Sequence, residues 1–198
     1  MHNTLFFFLQ KKKCIFTKMR FLFLCWLLLH FVGITDGLLS IDAPIDKTLV
    51  DSIRQQFLET PEQTNWTVYF DTGGGSVMEG NRLLPFFLEN NVTCIVDRAY
   101  SMGFFLLQAC KYRYILPTGT LMQHDMFLFL ADSLSRLKSY MDHIDHLHQY
   151  MVDIQTDRLQ MTRGEFLQKI EHDWWMNATE ALDTKCVDAI VPSLSSFL

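Results

Sequence analysis

An α/β fold on a largely parallel sheet is predicted by three observations. Short apolar segments alternate with amphipathic ones through the first two-thirds of the chain. The apolar segments carry few charges, as strands buried on both faces do. A long helical pattern then follows, with an apolar stripe at steps of three and four.

The elements follow in order. LLSID (38–42) reads as a strand. Residues 46–58 place Leu49, Val50, Ile53 and Phe57 on one helical face. TVYFD (67–71) is a strand leading into DTGGGS, and 76–89 is a helix that Pro85 can kink or interrupt. VTCIV (92–96) is a strand, 102–110 a short apolar helix, and YRYIL (112–116) and TLMQH (120–124) are two strands parted by Pro-Thr-Gly. Residues 132–159 form one long helix whose stripe is Leu134, Leu137, Met141, Ile144, His148, Met151 and Ile154, suited to packing on another helix. Thr162 to Glu165 is a capping-box pattern opening a helix to Ile170; Asn177 to Glu180 is a related cap, and CVDAIV (186–191) is a closing strand.

The N-terminal 36 residues read as a targeting leader and residues 37–198 as the folded domain. Lys11, Lys12, Lys13, Lys18 and Arg20 precede FLFLCWLLLHFVGI (21–34), which has no charge. That run is shorter than the roughly 20 residues of a membrane span and fits the core of a secretory signal. Gly33 and Thr35 are small enough for a nearby cleavage site, and Met19 could be the start. An uncleaved anchor is the competing reading. The expected location is therefore the secretory pathway, secreted or membrane-associated, with an organelle as the alternative. The leader holds five of the 17 basic residues and one of the 22 acids, which leaves 12 against 21 and a net charge of −9. A surface of that sign excludes nucleic acid as a partner.

Cys14 and Cys25 lie in the leader; Cys94, Cys110 and Cys186 remain, with no CxxC spacing that would point to structural zinc. Cys94 and Cys110 sit in apolar runs and read as buried free thiols. Asn65, Asn91 and Asn177 each begin an Asn-x-Thr triplet, compatible with a secretory route. His143 and His146 are three apart on the long helix and could share a metal, but no Cys or Glu-x-x-His spacing supports one, so the expectation is no metal.

Three features could carry chemistry. The glycines of DTGGGS, between a strand and a helix, let main-chain amides approach an anion or oxyanion; a tight turn is the plainer reading. Ser101 follows a strand and opens an apolar helix, where it is either an N-cap or a nucleophile on a sharp turn, with the Met102 amide beside it. His124 ends a strand and could take the Ser101 proton, with Asp173 of HDWWMN orienting the ring. Asp125 is a rival acid expected on the opposite strand face, and Asp71 a second rival that more naturally serves the turn.

Five segments together resemble the proteolytic subunit of Clp protease (ClpP), in the ClpP/crotonase superfamily: LLSIDAPIDKTLVDSIRQQFL, FDTGGGSVMEG, AYSMGFFLLQAC, ILPTGTLMQHD and HDWWMNATEALDTKCVDAIV. The resemblance spans about residues 38–192. It implies a parallel sheet of repeated β-β-α and βα units with a long protruding helix for oligomerisation. It makes Ser101 the nucleophile, His124 the general base, Asp173 the orienting acid, and the amides of Gly75 and Met102 the oxyanion hole. The implied activity is a serine endopeptidase, cofactor-free, acting on short or unfolded polypeptides through an acyl-enzyme. The implied partners are further copies of the chain, in a ring, and an ATPase unfoldase.

Two departures stand out. Gly73 occupies a usual proline position, and DMFLFLA (125–131) replaces a proline and a glycine-rich strand that lines the substrate channel. Alternative expectations are a noncatalytic assembly protein on the same fold, a crotonase-type acyl-CoA enzyme, and a signal-peptide peptidase. The last needs a Ser-Lys dyad. The nearest downstream lysine, Lys111, would lie roughly 15 Å along a helix from Ser101.

Overall fold

The computed structural model describes residues 37–63 and 65–197. The leader reading, with Cys14 and Cys25, lies outside the described residues. The elements are β1 (Gly37–Ile41), α1 (Lys47–Glu59), β2 (Asn65–Thr72), α2 (Val77–Glu89), β3 (Asn91–Tyr100), α3 (Met102–Gln108), β4 (Tyr112–Gln123), α4 (Leu134–Leu159), α5 (Arg163–Ile170), β5 (Trp174–Asn177), α6 (Ala178–Asp183) and β6 (Ala189–Ile190).

The helix starts lie where their polar caps put them. Asp46 accepts from the Leu49 amide and Ser76 from the Glu79 amide. Thr162 with Glu165, and Asn177 with Glu180, form complete capping boxes. Pro85 does not interrupt α2, which runs through it to Glu89.

The strands lie in the order β1-β2-β3-β4-β5, with β6 also paired to β4. Pairing is parallel from β1 to β4 and between β4 and β6, while β5 runs antiparallel to β4. The apolar side chains of the strands and of the helices that connect them fill one core. Ile41, Phe70, Ile95, Val96 and Ile115 are fully buried in the strands, and Phe104, Phe105, Leu106 and Leu107 in α3.

Three readings of the sequence are corrected. Residues 112–123 form one strand, not two. Val96 pairs with Ile115 and Arg98 with Thr120, so Pro117-Thr-Gly is absorbed as a bulge in a strand that continues on both sides. CVDAIV contributes only Ala189–Ile190 as strand. Cys94 and Cys110 are not free thiols. The return from β3 through α3 brings their Cα atoms to 6.1 Å, and they are disulfide-bonded. Cys186 is the free cysteine among the described residues; burial pushes its thiol up to about 11.

The helix α4 behaves as two halves. Ile144, Met151, Val152, Gln155 and Leu159 are buried against the domain. At the other end Leu134 is 70% exposed and Met141 is also exposed, so the apolar stripe continues beyond what the domain covers. In front of it, residues 124–133 are irregular, with Phe127 and Phe129 exposed.

Candidate active site

The site lies where the carboxyl ends of β2, β3 and β4 meet. Ser101 joins β3 to α3 with φ 53° and ψ −116°, a conformation that is uncommon for a side chain with a Cβ. It is held from both sides. Its amide donates to Met122 O of β4 at 2.9 Å, and its carbonyl accepts from Phe105 N of α3 at 3.1 Å. Its side chain makes no capping bond, so the N-cap reading describes its place and not its hydroxyl.

The glycine turn is built against this elbow. A Cβ on Gly74, whose φ is 90°, would fall 2.6 Å from Tyr100 O and 2.9 Å from Ser101 Cβ. Only glycine allows that approach. The turn is pinned to the β1–α1 loop. Ile45 N donates to Gly74 O at 2.9 Å, Ser76 N to Ile45 O at 2.8 Å, and Thr72 Oγ1 to Ala43 O at 2.7 Å. Helix α2 comes close enough that a Cβ on Gly80 would strike the Met102 side chain at 2.2 Å. The amide of Met102 is the first of α3, where an N–H has no partner within its helix.

A cavity of about 220 Å³ is lined by Gly75, Ser101, Met102, His124, Asp125 and His148, among others. The fold thus brings four of the five expected site residues to one cavity. Asp173 is exposed, in the bend between α5 and β5, and is not among the lining residues. Among the described residues no hydrogen bond joins Ser101 to His124, or His124 to Asp173. His124 Nδ1 instead lies 2.5 Å from the main-chain oxygen of Asp125.

The two rival acids are otherwise engaged. Asp71 accepts from Arg98 Nε at 2.8 Å across β2 and β3. Asp125 Oδ1 accepts from Met126 N at 2.7 Å and lies 3.0 Å from His148 Nε2 on α4. The backbone leaves the strand after Gln123, so strand alternation no longer sets the direction of Asp125. His148 was legible only as a stripe residue; that it faces the site depends on how α4 packs. The end of β4 is also tied to α4 internally: buried Gln123 donates from Nε2 to Gln155 Oε1 at 2.5 Å, and its Oε1 accepts from His124 N at 3.1 Å.

The sequence profile of the Clp protease family matches residues 34–193. The chain is 24% identical, over 163 residues, to the ATP-dependent Clp protease proteolytic subunit 1 of Streptomyces coelicolor, covering 79% of this chain and 74% of that one. It is 25% identical over 157 residues to the proteolytic subunit 3 of Streptomyces avermitilis, covering 75% and 71%. The subunit of Streptococcus uberis is 25% identical over 176 residues, covering 79% and 85%. The match takes in the glycine turn, the Ser101 elbow and the end of β4 together, and the chain belongs to the Clp protease family.

Proposed function

We propose that this chain is a serine endopeptidase acting on short or unfolded polypeptides. Ser101 Oγ attacks the peptide carbonyl carbon while His124 Nε2 takes the hydroxyl proton. The amides of Gly75 and Met102 hold the resulting oxyanion. The C–N bond then breaks, His124 returns the proton to the leaving amine, and water hydrolyses the acyl-serine by the same path. Asp173 is the acid assigned in this reading to orient the His124 ring and stabilise the imidazolium. No cofactor or metal enters. The observation that carries this reading is the Ser101 elbow: a strained serine at the mouth of a cavity shared with a histidine and the first amide of a helix.

The relatives' names speak of ATP dependence and of a proteolytic subunit. By that analogy the working form is a homo-oligomer, with an ATPase as a further partner, and the uncovered half of α4 offers a surface for assembly. The secretory pathway remains our assignment for its location; the Cys94–Cys110 disulfide supports it, because such bonds persist in oxidising compartments.

The test is labelling of residues 37–198 by a fluorophosphonate. Wild type takes up one equivalent and Ser101→Ala none. Equal labelling of the two overturns the reading. A noncatalytic assembly protein is the second reading, favoured by the missing Ser101–His124 bond. It predicts no label in either the monomer or the assembled form.

A further inference from the structure

Two of the Asn-x-Thr triplets lie side by side in the fold. Asn65 opens β2 and Asn91 opens β3, and the two residues are register partners in the parallel pair. Their carboxamides meet: Asn91 Nδ2 donates to Asn65 Oδ1 at 3.3 Å. They are not equally placed to carry a bulky group. Asn91 is exposed, one residue after the cap of α2, and only the Val92 of its triplet turns into the core. Asn65 is half-buried, and its triplet continues into Trp66 and Thr67, both buried, with Trp66 Nε1 tied to Gln63 O at 3.2 Å. Asn177 is exposed but serves as a cap, its Oδ1 accepting from Glu180 N at 3.0 Å. It also pairs with Thr120, only about 10 Å along β4 from Gln123 at the candidate site.

The surroundings of Asn91 suit an N-linked sugar. A cavity of about 500 Å³ opens beside it, lined by the exposed Leu88 and by Glu89, Lys111 and Asp157, among others. Asn91 Oδ1 accepts from Lys111 Nζ at 2.8 Å, which fixes the carboxamide. A primary amide has two N–H groups, and glycosylation consumes one. The other can still donate to Asn65 Oδ1, and Asn91 Oδ1 still accepts from Lys111, so the folded contacts survive. Ser101 follows the far end of this ten-residue strand, roughly 30 Å away, so a sugar on Asn91 stands clear of the candidate nucleophile. The Cys94–Cys110 disulfide is independent support, because such bonds form and persist in the oxidising lumen of the secretory route.

We propose that Asn91 is an N-glycosylation site of this protein. The inference rests on the secretory location assigned above and not on the peptidase reading. The donor is an oligosaccharide linked to a polyprenyl pyrophosphate. Asn91 Nδ2 bonds to C1 of its first sugar, the C1–O bond breaks, the pyrophosphate leaves with the bonding pair, and Nδ2 gives up one proton. The product is a secondary amide at an exposed strand start, where a bulky, solubilising group is accommodated.

The test is expression of the full chain in a eukaryotic cell that attaches N-linked sugars. In a second arm, residues 1–36 are replaced by the cleaved signal of an unrelated secreted protein. The full chain should migrate more slowly on a gel, and peptide N-glycosidase should collapse the shift. Mass spectrometry should then find, at position 91, the aspartate that this enzyme leaves behind. Asn91→Gln and Thr93→Val abolish the modification at that position, whereas Thr93→Ser keeps the acceptor motif and retains it. Thr93→Val is close in shape to the original residue and suits a strand, so its loss reads the motif and not the fold. Sugar on Asn65 or Asn177 with Asn91 bare overturns the proposal. No sugar in either arm, with the foreign signal cleaved, overturns the site and leaves the location standing. Sugar on Asn91 in the redirected chain alone overturns the location and, with it, the modification of the natural protein.

Discussion

Cys94 and Cys110 are bonded to each other across the segment that carries Ser101. Cys94 lies in β3 and Cys110 just beyond α3, so the bond closes the strand–elbow–helix unit into a loop with a sequence separation of 16. Closing a loop of that size restricts the unfolded chain by about 3 kcal/mol. Reduction of the folded domain should therefore lower its unfolding free energy by about that amount in urea. The Cys94→Ala/Cys110→Ala variant should be insensitive to reductant. Equal unfolding midpoints for wild type with and without reductant would contradict the bond.

Thiol counting gives an independent check. Without reductant, native residues 37–198 should react with no aromatic disulfide reagent at pH 8, because Cys186 is buried and its thiol is pushed up to about 11. In denaturant, one thiol per chain should appear. Three would mean that Cys94 and Cys110 are free.

Gly74→Ala places a methyl group against Tyr100 O and Ser101 Cβ at a φ of 90°. Strain of this kind costs about 1–3 kcal/mol, and the clash adds to it. The elbow and the turn share this contact, so labelling of Ser101 should fall more steeply than stability. Gly73→Ala, where a Cβ would meet nothing within 4 Å, is the control and should leave both nearly unchanged.

Arg113 is nearly buried and pairs with Asp188, its Nη2 2.6 Å from Oδ1. Burial alone would raise the Asp188 carboxyl, but the Arg113 bonds outweigh it and hold it below the usual range. A carboxyl lowered in the folded state stabilises above its unfolded pKa, and that contribution fades as pH falls through the lower folded value. Asp188→Asn should cost about 3 kcal/mol at pH 7, at the low end for a broken buried pair because Asp188 itself is partly exposed. The gap to wild type should close as pH falls below about 4. Urea unfolding at a series of pH values measures it. A gap constant down to pH 2 would rule out the carboxylate as its source.

Much of this molecule was legible because its signals are local. Asp46, Ser76, Thr162 and Asn177 announce helix starts through bonds reaching three residues ahead, and each is made. Ser101 and His124 were legible as candidates because a strand must end where each one stands. What was hidden depends on neighbours distant in sequence. Pro117 and Gly119 look like a break until β3 is seen pairing on both sides of them. Trp174–Asn177 looks like a loop until β4 offers it an antiparallel edge. The cysteine pair needs α3 folded back over β3. Asp125 and His148 needed the exact path of the chain after β4 and the packing of α4, neither of which a residue pattern specifies.

The Gln123–Gln155 bridge makes His124 a neighbour of the long helix in a mechanical sense. One end of α4 is anchored beside His124 through two buried amides, while the other stands clear of the domain with its apolar stripe uncovered. A helix is stiff over 26 residues. Its uncovered end and the end of β4 that carries His124 are therefore joined through one stiff element.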